Sequence, residues 1–75
     1  MIRKCFTLKT SDISLVQFII EGYEGLATVS TIDSKAAVIQ VLIMPDFVLE
    51  MESLLQDLQI LFPMEEISSG SDRVE

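Results

Sequence analysis

The sequence predicts an α+β domain of split βαββα type: a three-stranded sheet with two helices on one face and a candidate short fourth strand. Three observations carry this. Two runs rich in β-branched residues, Leu26 to Ile32 and Ala36 to Met44, are joined by the polar triplet Asp33-Ser34-Lys35, which reads as a β-hairpin. A helix-period segment lies on each side of that hairpin, Ile13 to Glu21 and Phe47 to Phe62. A short alternating stretch, Ile2 to Leu8, opens the chain.

In that first strand Ile2, Lys4, Phe6 and Leu8 share one face and Arg3, Cys5 and Thr7 the other, so Phe6 and Leu8 are core candidates. Thr10, Ser11 and Asp12 are adjacent N-cap candidates for a helix from Ile13. Ile13, Val16, Ile20 and Tyr23 have helical spacing, but Leu15, Phe18 and Ile19 widen the apolar face. A helix this apolar is expected to touch more than its own sheet. Gly22 or Gly25 can end it in the left-handed conformation, with Gly22-Tyr23-Glu24-Gly25 forming a compact turn.

Within the hairpin, Ala27, Val29 and Thr31 oppose Leu26, Thr28, Ser30 and Ile32 in the first strand. In the second, Ala37, Ile39, Val41 and Ile43 oppose Val38, Gln40, Leu42 and Met44. The joint contains no Asn-Gly, which predicts a loop of three or more residues, with Asp33 and Ser34 bonding nearby backbone N–H groups. The second strand is apolar on both faces, the pattern of a central strand covered on both sides. One layer of helices covers one side only, so the other carries Val38 and Leu42 with Leu26 and Ile32, or the opposite set if the register is reversed. A right-handed crossover then places the third strand centrally, parallel to the first and antiparallel to the second.

Pro45 stops the strand and Asp46 is placed to cap the second helix. Val48, Met51, Leu55, Leu58 and Phe62 follow its core stripe, joined by Phe47, Leu54 and Leu61, while Glu50, Glu52, Ser53, Gln56, Asp57 and Gln59 mostly face water. Pro63 ends it. Residues 1–63 form one α+β domain, and 64–75 a short, partly disordered tail in which Met64 to Ile67 is the stretch able to add an edge strand.

Composition narrows the function classes. A 75-residue chain that is 49% hydrophobic is apolar for a small domain with a wet surface, which points to a subunit interface. The longest apolar runs are far short of a bilayer span and no signal-peptide pattern opens the chain, so a cytoplasmic protein without a membrane partner is expected. A net charge of −7, with three of five basic residues in the first nine positions, argues against a nucleic-acid partner. Cys5 is the single cysteine and histidine is absent, so one chain builds neither a disulfide nor a Cys/His zinc site. Cys5 therefore reads as a strand residue, and no catalytic residue, cofactor or metal is assigned. Glu21 with Glu24 and Glu65 with Glu66 are close acidic pairs that read as solvated carboxylates.

Glu21-Gly22-Tyr23-Glu24-Gly25-Leu26-Ala27 runs into Val29 to Asp33 and is followed by the Val38 to Pro45 strand and an acidic helix with Leu54-Leu55. This pattern resembles a family of short bacterial proteins described as a domain of unknown function, over about positions 8 to 62. More distantly, the element order is similar to ferredoxin-like and ACT-like domains. That likeness implies pairing through sheets or helices and, in the ACT case, binding of small ligands such as amino acids. Lys9-Thr10-Ser11-Asp12 lacks the glycine that ACT-like domains commonly carry in the corresponding loop.

The expected function is a non-catalytic interaction module that forms a homodimer or higher homo-oligomer, or meets another protein, through a sheet face or the first helix. Phe18, Val38, Gln40 and Leu42 are its interface candidates. The alternative is an ACT-like regulatory domain, with Thr10, Ser11 and Asp12 at the helix start and Gly22 and Gly25 in the following turn as the ligand loop.

Overall fold

The computed structural model describes residues 1–71. The chain runs β1 (Ile2–Thr7), α1 (Ile13–Glu21), β2 (Ala27–Asp33), β3 (Val38–Ile43), α2 (Val48–Leu61) and β4 (Glu65–Ser71), with 3-10 turns at Thr10–Asp12 and Pro45–Phe47 leading into the helices. The strands form one sheet in the order β2-β3-β1-β4, and every neighbouring pair is antiparallel. This is the ferredoxin-like split βαββα arrangement expected from the element order. One detail differs: β3 is antiparallel to β1, with Phe6 opposite Ile39, not parallel to it. A helical crossover returns β2 parallel to β1 one strand away, and the hairpin partner β3 fills the gap between them running the other way.

Both helices lie on one face, because their buried residues belong to a single core. Phe6, Ile39, Val41 and Ile43 from the sheet meet Val16 and Ile20 of α1 and Met51, Leu55 and Leu58 of α2. Leu8 and Leu26 join this core, so Leu26 is not on the bare face. Ile32 sits at an irregularity in the β2–β3 pairing between Thr31 and Asp33 and is exposed.

Local chemistry departs from expectation in the turns. Thr10, Ser11, Asp12 and Asp46 make no side-chain cap; each helix is entered through a 3-10 turn instead. Its backbone bonds, Asp12 N–H to the Lys9 carbonyl at 2.9 Å and Phe47 N–H to the Met44 carbonyl at 3.0 Å, do the ordering. Gly22 remains in the right-handed region, and the left-handed residues are Glu24 (φ 60) and Gly25 (φ 67). In the hairpin, Asp33 Oδ1 accepts from Lys35 N–H and Ala36 N–H, both at 3.0 Å, as its residue type predicts. Ala36 and Ala37 belong to that turn and not to the strand; Ala37 lies at φ 55, and its carbonyl accepts from Leu8 N–H at 3.1 Å.

The fourth strand forms and is longer than expected. It pairs with β1 from Thr7–Glu65 to Ile2–Ser71, with a shift in register between Cys5 and Phe6. The run 68–71, whose polar composition predicts no order, is strand because a neighbour's free backbone edge needs no apolar side chain to pair with. The remaining residues of the expected tail, 72–75, lie outside the described part.

Candidate interaction surfaces

The predicted ligand loop is not one place. Thr10, Ser11 and Asp12 form the turn at the start of α1, whereas Gly22 and Gly25 follow its end. Nine helical residues, about 13 Å of rise, separate the two groups. The acidic pairs are also divided. Glu21 accepts a hydrogen bond from the Val29 backbone, and Glu66 engages Lys4. Among the described residues, no group of three His, Cys, Asp or Glu side chains is placed to hold a metal ion. No helix there is long and apolar enough to cross a membrane.

Nor do the interface candidates share a surface. Val38, Gln40 and Leu42 alternate with the buried Ile39, Val41 and Ile43, so they stand on the sheet face away from the helices. The register places Leu42 between the polar Thr28 and Arg3, and Gln40 between Ser30 and the buried Cys5. Val38 and Leu42 are already half-buried, and Cys5 is buried. Val38 and Leu42 thus stand on the helix-free face, as expected, with polar Thr28, Arg3 and Gln40 among their neighbours. Half-buried Val38 and Leu42 and buried Cys5 share this face with Thr, Ser, Gln and Arg, so it is mixed in character and not continuously apolar.

Phe18 is on the opposite side of the molecule. It is two residues from each of Val16 and Ile20, and two steps turn a helix by about 200°. Burial of those two thus aims Phe18 at solvent, where it is 75% exposed beside the half-exposed Leu15. The same relation holds in α2. Leu49 is two residues before the buried Met51 and Ile60 two after the buried Leu58, and they are 81% and 82% exposed. Leu61, expected to join the core, is 73% exposed, because the helix ends there and Phe62 takes the inward position. Sequence reasoning passed over Leu49 and Ile60. The signal was available in their 11-residue spacing, which returns to the same helix face after three turns.

A cleft of about 210 Å³ opens between α2 and the β1–β4 side of the sheet, lined by Lys4, Glu52, Gln56, Gln59 and Glu66 over a floor of Phe6 and Leu55. Lys4 Nζ lies 3.6 Å from Glu52 and 3.3 Å from Glu66, tying helix to edge strand across this gap. The mostly buried lysine bridges both carboxylates, so the cleft is a structural seam in which one cation is shared by two anions and one negative charge is left over.

No curated protein and no solved structure matches the chain significantly. A family model matches residues 6–61, which include the helix-turn-strand segment Glu21 to Ala27, both helices, β2, β3 and the last two residues of β1. The chain therefore belongs to the family described as Domain of unknown function (DUF4911).

Proposed function

We propose that this protein is a non-catalytic interaction module that self-associates through the outer face of α1. The observation that supports this is Phe18, held directly outward on a helix that bears no charge from Ile13 to Ile20. In an antiparallel contact of two copies about Phe18, Leu15 and Phe18 of each chain cover those of the other, and no like charges meet at the centre. Fully burying such a side chain returns about 1.5–3 kcal/mol, while association itself costs about 4–15 kcal/mol. A dimer made by this face alone is therefore weak, with a dissociation constant in the micromolar range or higher. The small-ligand alternative is less well supported, since its candidate residues stand at opposite ends of a helix.

Sedimentation velocity over a wide concentration range tests this reading. Wild-type protein is expected to pass from monomer to dimer, and Phe18→Ser to stay monomeric with an unchanged far-UV circular dichroism spectrum. A wild type that stays monomeric throughout, or a Phe18→Ser variant that dimerises as well as the parent, overturns it.

A further inference from the structure

The second exposed apolar face, on α2, differs from the first in its charge. Between Lys9 and Arg73 the sole basic residue is Lys35, which lies in the hairpin turn, so neither helix contains a cation. On α2, Glu52 is occupied by Lys4, leaving Glu50 and Asp57 exposed, and among the described residues no ion pair involves either one.

These groups are ordered by helical geometry. Leu49, Ser53, Gln56 and Ile60 follow 4-3-4 spacing and form one row along the outer face, about 16 Å long. Glu50, Asp57 and Leu61 follow 7-4 spacing and form a second row beside it. The surface is thus a helix face with large aliphatic groups towards both ends and carboxylates along one flank. Pairing this face with itself brings Glu50 and Asp57 of two chains together, each chain carrying a net charge of −7, and like charges at a contact oppose association. A nucleic acid or an anionic membrane is disfavoured for the same reason.

We propose that the outer face of α2 docks a cationic amphipathic helix of a different protein. The partner's aliphatic stripe lies along the Leu49–Ile60 row, and its lysines or arginines pair with Glu50 and Asp57. This is helix-on-helix recognition in which apolar anchors supply affinity and the charged flank selects the partner and its orientation. The inference uses a different helix face from the α1 contact and stands whether or not that contact exists.

The test uses the full chain and three fluorescently labelled synthetic peptides. One is a leucine-lysine helix with an amphipathic repeat, the second replaces lysine with glutamate, and the third scrambles the first so that the apolar stripe is lost. Fluorescence anisotropy is expected to detect binding of the lysine peptide, weakened by added salt. Its affinity falls at least tenfold for Leu49→Ser/Ile60→Ser and again for Glu50→Lys/Asp57→Lys, while Phe18→Ser leaves it unchanged. The charge-reversed variant gains binding to the glutamate peptide. Amide chemical-shift mapping on wild-type protein keeps the test independent of how any variant folds: shifts concentrated on 49–61 support the proposal. Absence of lysine-peptide binding, equal binding of the scrambled peptide, undiminished binding to Leu49→Ser/Ile60→Ser, or shifts centred elsewhere overturns it. Failure of the α1 reading appears separately, as a monomer in sedimentation.

Discussion

Glu21 Oε2 accepts a hydrogen bond from the Val29 backbone N–H at 3.1 Å, so the last residue of α1 closes a donor on the outer edge of β2. In an edge strand alternate backbone groups face away from the sheet, and each one left open is a template for another strand. A hydrogen bond to a charged acceptor here both fixes the helix end to the sheet and blunts that edge.

Glu21→Ala is expected to lower stability by about 1 kcal/mol in urea denaturation. Hydrogen exchange at the Val29 amide accelerates by more than the global loss requires. Glu21→Gln, which keeps an acceptor oxygen, loses less.

Lys4→Met keeps most of the stem packing but removes both ion pairs and leaves Glu52 and Glu66 across the seam from each other. Because both carboxylates are partly exposed, the expected loss is about 1 kcal/mol. It shrinks in about 1 M salt, where the Debye length falls to about 3 Å. Denaturation of wild type and variant at low and high salt measures it.

Position on α2 decides what a truncation costs. Leu55 is buried against the sheet, so Leu55→Ala loses about 2–5 kcal/mol, a large part of the total for a domain of this size. Ile60→Ala, five residues on but facing solvent, changes stability by less than about 0.5 kcal/mol. Thermal and urea denaturation of the two variants should differ accordingly.

Gly25 lies at φ 67 with open space where a Cβ would stand. Gly25→Ala therefore isolates backbone strain from steric clash, and is expected to cost about 1 kcal/mol with no change in the denaturant slope.

Much of this architecture is legible in the residues. The 3.6-residue stripe Val16 and Ile20 and the stripe Met51, Leu55 and Leu58 define the helices and their inward faces. Two-residue alternation in Ile39, Val41 and Ile43 defines the inward face of β3. Asp33 identifies the turn because its carboxylate bonds backbone only two and three residues away. All of these are local relations, in which periodicity or a short reach already contains the answer.

Tertiary structure decided what depends on neighbours distant in the chain. The antiparallel β1–β3 pairing follows from the closure of the whole sheet. The strand at Glu65–Ser71 exists because β1 offers an unpaired edge, a property absent from its own polar residues. Exposure of large apolar residues was likewise settled by where the two helices dock. Phe18 could have been core or surface from composition alone, and only the burial of Val16 and Ile20 against the sheet turned it outward. The physical reason is range: a sequence records the angular period of each element, whereas the face that remains in water is fixed only when the elements have packed together.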